Sequence, residues 1–366
     1  MQYVMLKDVC VINMGQSPNS DSYNDDGEGV PFFQGNADFG ERYPITRKWC
    51  TDPTKIAAPQ DILISVRAPI GAMNYAKENC CIGRGLAALT PDETKVSSEF
   101  IFWLLKGKNA ELNNKGTGST FKAIGRKVLE EIMIPDIPLE KQLGYSEILE
   151  KVYTVIQLRK TEIKKYDELI KARFVEMFGD LAGNHQRYYV ATLQELIDKG
   201  YITYHLDGNH GGDYPRSEEF VASGVPYISA NCIVNGEIDF SKAKFLTSER
   251  AGKLRKGIAQ DEDVLFAHNA TVGPTVVLHT DEEKVILGTS LTAYRCNKDK
   301  IIPNYLKAYM LSDGFVLQYS GEMKQTTRNQ VPITAQKKYL FLIPPIEEQN
   351  RFATFVNQVD KSKVVD

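Results

Sequence analysis

The chain has 366 residues, enough for two or three domains of ordinary size. Hydrophobic residues make up 42%, charged residues 25% and aromatics 10%, a composition that excludes a disordered or fibrous chain. With 44 Lys and Arg against 47 Asp and Glu the net charge is −3, so any polyanion site has to be a local patch.

The N-terminus reads MQYVMLKDVC, with no basic start and with Lys7 and Asp8 breaking the apolar stretch, so no secretory leader is expected. The longest apolar run, Phe100 to Leu105, falls far short of the roughly 20 residues a membrane-crossing helix needs. A cytoplasmic protein is expected. Cys10, Cys50, Cys80, Cys81, Cys232 and Cys296 show no metal-site spacing and are read as reduced, mostly buried thiols.

In chain order, Leu6-Lys-Asp-Val9 is read as a short helix and Gly29-Val30-Pro31-Phe32 as the start of an extended segment. Asp61 to Val66 is a strand that leads through Ile70-Gly71 to a glycine-rich stretch, and Ser98-Glu99 precedes a helix at Phe100-Ile101. Thr120, Pro138 and Glu140-x-Gln142 follow. The same signals then return in the same order. A capping box, Thr192-Leu-Gln-Glu195, answers Leu6 to Val9. Gly224-Val225-Pro226-Tyr227 lies 195 residues after its counterpart, Asp263 to Phe266 with Val272-Gly273 lies 202 after, and Tyr305-Leu306 lies 205 after. Thr327, Pro345 and Glu347-x-Gln349 lie 207 after. A slowly drifting offset is what loop insertions in one copy of a duplicated domain produce. Short strands (Val285 to Leu287, Leu291 to Arg295) broken by Gly, Pro, Asn and Asp make each copy a mixed α+β domain.

Between the copies, Glu140 to Phe178 holds one glycine, Gly144, and no proline. Apolar residues recur at helical steps: Leu149, Val152, Ile156, Ile163, Tyr166, Ile170 and Met177, with Arg159 and Arg173 on the same seam. The pattern predicts one helix of about 58 Å. A second, shorter helix starts at Glu347 (Arg351, Phe352, Phe355, Val356, Val359) and supplies a partner for an antiparallel coiled-coil spacer. The organisation expected is a first domain over 1–139, a spacer helix over 140–179, a second domain over 180–346 and a short distal helix over 347–366.

Common catalytic fingerprints are absent: no Walker loop, no G-x-S-x-G, no H-E-x-x-H and no strand-borne G-x-G-x-x-G. His268-Asn269 after a strand could form a catalytic pair, but its counterpart Val66-Arg67 is chemically different, and a strand-turning loop is the plainer reading. The loops instead carry polar and basic residues: Arg42, Arg47, Lys48, Arg67, Arg84 and Lys115 to Lys122 in the first copy, and Asn209 to Arg216, Ser229 to Asn231 and Lys324 to Gln330 in the second. Such side chains read base edges and phosphates, and two similar domains suggest two reading heads.

Gly118-Ser-Thr-Phe-Lys-Ala-Ile124, then Ile132-Met-Ile-Pro135-Asp-Ile-Pro138-Leu-Glu-Lys-Gln142 and a long charged helix, resembles the join between a target-recognition domain and its helix in the specificity subunits of type I restriction-modification systems. Gln325-Thr-Thr-Arg-Asn-Gln-Val-Pro332 followed by Phe341-Leu-Ile-Pro-Pro345-Ile-Glu-Glu-Gln349 repeats the signature, so the resemblance covers essentially the whole chain. It implies a non-catalytic DNA-binding scaffold whose two target-recognition domains each read one half of an asymmetric bipartite site. Its helices would set the gap and dock methyltransferase subunits, and restriction-translocase subunits would join the complex. No cofactor is expected on this chain; S-adenosylmethionine, ATP and Mg would sit on the partner subunits. The DNA-binding candidates are Arg67, Arg84, Lys122, His210, Arg216, Lys324 and Arg328. The competing reading is a protein-interaction scaffold with two similar domains and a dimerising helix, which salt-dependent binding to duplex DNA would separate from it. An unrecognised hydrolase or nuclease is disfavoured by the lack of a paired carboxylate or metal cluster in both copies.

Overall fold

The computed structural model of the chain describes residues 2–118, 122–179, 187–323 and 329–363. The chain divides into two compact units, Met1–Arg159 and Lys160–Asp366, and each builds the same α+β core. In the first unit, β1 (Cys10–Met14), β2 (Ile62–Ser65), β3 (Met73–Tyr75) and β4 (Leu86–Pro91) form an antiparallel sheet of order β1-β4-β2-β3. Helix α1 (Ser98–Gly107) covers one face, capped by the Ser97 hydroxyl, which accepts from the Phe100 N–H. Phe100, Ile101 and Leu105 on this helix join Ile62, Ile64 and Leu89 of the sheet in one buried core, closed by Leu129 of helix α2 (Arg126–Glu130). The Gly-Val-Pro segment becomes Val30–Phe33, which pairs in parallel with Cys80–Ile82 in a second sheet.

One continuous helix, α3 (Leu139–Phe178), runs 40 residues or about 60 Å, and the division between the units falls within it. Pro138 precedes it, and Gly179 ends it in the left-handed conformation at φ 77°, its N–H donating back to the Val175 carbonyl.

The second unit repeats the pattern with β5 (Ile202–Asp207), β6 (Val264–Ala267), β7 (Thr275–Val277) and β8 (Leu291–Cys296) in the order β5-β8-β6-β7. Helices α4 (Pro303–Met310) and α5 (Ile333–Gln336) take the places of α1 and α2. Val225–Ile228 pairs in parallel with Val285–Leu287, as its counterpart does. The Thr192 capping box forms as expected and opens the helix Leu193–Asp198; Asp8 caps Leu6–Val9 through the Met5 N–H at 3.1 Å. All six cysteines are free thiols, five of them buried. No helix among the described residues is long and apolar enough to cross a membrane.

The distal helix, α6 (Ile346–Lys363), packs on the C-terminal half of α3 within the second unit. Phe352 meets Phe174 and Phe178 at ring distances of 5.5 and 5.6 Å, and Lys363 at the far end reaches Asp167 at 2.8 Å, so the two helices run antiparallel. Of the expected seam, Ile170 and Met177 pack on this aromatic core, and Ile163 and Tyr166 are half-buried. Leu149, Val152 and Ile156, expected on the same buried seam, are instead 44%, 51% and 46% exposed. Among the described residues α6 extends to Lys363, which lies opposite Asp167. The N-terminal half of α3 turns a different face to the first unit: Gln142 and Ser146 are buried, Arg42 pairs with Glu150 at 2.9 Å, and Tyr153 packs edge-on against Trp103 with Lys106 over its ring.

The paired signature has a structural meaning. The Gln142 carboxamide is buried, accepting from the Ser97 N–H at 2.9 Å and donating to the Ile137 and Lys95 carbonyls at 2.8 and 3.3 Å. Gln349 does the same with the Ile302 N–H and the Pro344 and Lys300 carbonyls at 2.9, 2.8 and 3.3 Å. Each glutamine ties the start of its long helix to the helix that covers the sheet.

Candidate nucleic-acid interface

In both units the chain crosses itself beyond the end of the second strand. In the first, the Ile124 N–H donates to the Val66 carbonyl and the Ala68 N–H to the Lys122 carbonyl, at 2.9 and 3.0 Å, so Arg67 pairs with Ala123. The Val66 N–H donates to the Gly85 carbonyl, which brings the Gly83-Arg84-Gly85 turn alongside. That turn also rests on the loop after β1, where the Arg84 N–H reaches the Ser17 hydroxyl at 3.4 Å. The close approach needs a glycine: a Cβ on Gly15 would stand 2.2 Å from the Gly83 carbonyl oxygen. Arg67, Arg84 and Lys122, far apart in sequence, thus share one end of the sheet, all three exposed, with exposed Gln16 and Gln34 beside them. The Gly85 N–H donates to the Gln34 carbonyl and the Gln16 N–H to the Ile82 carbonyl.

The second unit builds the same edge with other side chains. Val331 N–H donates to the His268 carbonyl at 2.8 Å, Ala270 N–H to the Asn329 carbonyl at 3.0 Å, and Asn269 pairs with Gln330. His268 N–H donates to the Ser290 carbonyl, as Val66 does to Gly85. Gly208 repeats the close approach of Gly15, its Cβ direction ending 2.2 Å from the Gly288 carbonyl. Asn269, Thr289 and Asn329 therefore stand where the first unit has Arg67, Arg84 and Lys122. Ala270 takes a left-handed φ of 65°, uncommon for a residue with a side chain.

His210 follows the β5 end of this edge, with its Nε2 2.7 Å from the Asp207 carboxylate. Arg216 is exposed on the segment that leads into the second sheet, its N–H donating to Glu219 at 2.7 Å. Lys324 and Arg328, like Thr120 and Thr327 of the signature, lie outside the described residues. His268 is buried rather than poised for chemistry: Nδ1 lies 2.8 Å from the Thr292 hydroxyl, and burial pulls its pKa down from 6.5 to about 4. Gln16, Gln34 and Thr289 did not stand out in the sequence, where their only signal was proximity to the paired glycines.

The family described as the type I restriction modification DNA specificity domain matches residues 1–166 and again 191–364. Among curated relatives, a Methanocaldococcus jannaschii chain named for the specificity subunit of type I restriction enzyme MjaX is 43% identical over 160 residues, covering 44% of this chain and 38% of that one. The MjaVIII specificity subunit of the same organism is 21% identical over 267 residues, covering 71% of this chain and 63% of its own length. The chain thus spans less than two thirds of either relative. Among solved structures, the S subunit of a type I restriction-modification system from M. genitalium aligns over 99% of this chain and 90% of its own, with a TM-score of 0.56 at 14% identity, a likeness of fold.

Proposed function

Because the chain belongs to the type I restriction-modification DNA specificity family, we propose that it is the sequence-reading subunit of such a complex. Each unit reads one half of a bipartite duplex site. The observation that carries this reading is the repeated edge: one backbone frame, built twice, presents Arg67, Arg84 and Lys122 in one unit and Asn269, Thr289, Asn329 and Gln330 in the other. Arg and Lys suit phosphates and guanine edges, while Asn and Gln suit adenine edges. Since the two edges differ, the site is asymmetric.

In this reading the chain is not an enzyme. Methyl transfer from S-adenosylmethionine belongs to methyltransferase subunits, and ATP- and Mg-dependent translocation and cleavage to restriction subunits, all in the cytoplasm. The exposed apolar steps Leu149, Val152 and Ile156 on α3 are the surface offered to the methyltransferase, since bare apolar stripes mark docking surfaces. Base-resolution methylation mapping in cells with the methyltransferase, with and without this chain, tests the proposal. One asymmetric bipartite motif, methylated only when the chain is present, is expected; an unchanged methylation map would overturn it.

A further inference from the structure

The two edges rest on different cores. Beneath the first lie Ile12, Val66, Ala87, Leu89 and Leu129, all buried and all apolar. The sheet register gives three of them a counterpart: Ile12 faces Leu89 as His205 faces Tyr294, and Ala87 faces Ile64 as Thr292 faces Phe266. His268 replaces Val66 ahead of the edge, and Gln336 on α5 replaces Leu129 on α2. The second unit thus places His205, His268, Thr292, Tyr294 and Gln336 where the first has only hydrocarbon, and all five are buried.

Gln336 is fully satisfied. Its Oε1 accepts from the Tyr294 hydroxyl at 2.6 Å and faces His205 Nε2 at 3.1 Å; its Nε2 donates to the Thr292 hydroxyl and to the Val331 carbonyl, both at 3.2 Å. With its oxygen engaged as an acceptor, the Thr292 O–H is free to donate to His268 Nδ1. The network therefore ends on both strands of the edge: on Val331, beside Gln330, and on His268, beside Asn269.

We propose that Gln336 is a positioning residue for the second edge, fixing through Val331 and through Thr292 and His268 the two segments that present Asn269, Asn329 and Gln330 to DNA. This rests on the reading of the edges as DNA-reading surfaces. An amide recognises a base through directional hydrogen bonds and has to be held to within about 0.5 Å. A cation on a phosphate acts through a Coulomb attraction that falls only as the inverse of distance. A unit that reads with amides needs the stiffer mount, and buried hydrogen bonds to every polar atom of Gln336 supply one, while His205 Nδ1 is buried without a partner.

The test uses the full chain assembled with the methyltransferase and a randomised duplex library, scoring base preference at each half-site separately. Thr292→Val removes the hydroxyl that links Gln336 to His268; preference at the second half-site should fall about tenfold, that at the first should hold, and Thr292→Ser should restore it. Should Thr292→Val not fold, the replacement His205→Ile, His268→Val, Thr292→Ala, Tyr294→Leu and Gln336→Leu asks the same question with a residue set the first unit already packs. A wild-type complex without preference at either half-site would overturn the DNA reading itself. Wild-type preference that survives both replacements would overturn the positioning role and leave the reading standing.

Discussion

Arg67, Arg84 and Lys122 come from three loops, and only the folded chain gathers them. If they hold phosphates, each releases counterions on binding. Replacing all three with Ala is expected to flatten the dependence of log affinity on log salt by about 0.9 for each phosphate no longer neutralised, measured on duplex DNA between about 50 and 200 mM salt. An unchanged slope would mean that other residues hold the phosphates. Burial also sets an acid limit on the second unit. His205 and His268 titrate near 4 when folded, chiefly through desolvation, against an ordinary 6.5. The unfolded chain takes up their protons first, so the stability they confer is complete above about pH 6.5 and is lost as pH falls toward 4. The loss is on the order of 3 kcal/mol for each imidazole. Melting curves of wild type and of the five-residue replacement should diverge across that window; parallel curves would refute the assignment. The sequence showed the residue types of the polar loops but not which ones converge, because convergence depends on Gly15 and Gly208 allowing backbones to touch. The buried role of His268 was hidden for the same reason, since a histidine after a strand looks alike whether it faces solvent or a neighbouring threonine.

Helix boundaries were legible and helix packing was not. The proline-free run, the preceding Pro138 and the closing Gly179 delimit α3 in the sequence within a residue. Its apolar heptad is continuous in the sequence, yet among the described residues only the part opposite α6 is covered. Removing the ring of Phe352, which is fully buried between Phe174 and Phe178, should cost about 3 to 5 kcal/mol and lower the melting of the second unit. Ile156→Ala should change the stability of the free chain by less than about 0.5 kcal/mol. Equal losses in calorimetry would mean that the whole stripe is buried after all. The signature glutamines teach a related lesson. They stand out in the sequence as a repeated motif, and their work is to satisfy backbone groups where the long helix meets the helix that covers the sheet.

For the molecule as a whole, a duplicated fold joined by one unbroken helix makes spacing a testable property. Seven residues added between Ile156 and Ile163 lengthen α3 by about 10 Å, and two near-complete turns keep its faces almost aligned. The gap in the methylated motif is expected to grow; a methylation map with the old gap would exclude the helix as the spacer. Exchanging the region before Thr117 for that of another family member should alter one half of the motif and leave the other. The tandem architecture was readable from the order of repeated motifs, because elements keep their order while loops change length.

Each head opens and closes on one two-stranded ribbon. Tyr3–Met5 pairs with Met133–Pro135, and Tyr189–Thr192 with Leu340–Ile343, so the chain enters and leaves each head along neighbouring strands of one ribbon. A head closed in this way is topologically a plug-in cassette. Its boundaries can be cut and rejoined with little strain on the interior, and a circular permutant opened in an exposed loop should keep the same core. Recombination between related genes at the two strand ends would then deliver a whole new head on an old helix, and a new specificity would arise in one step without refolding the rest.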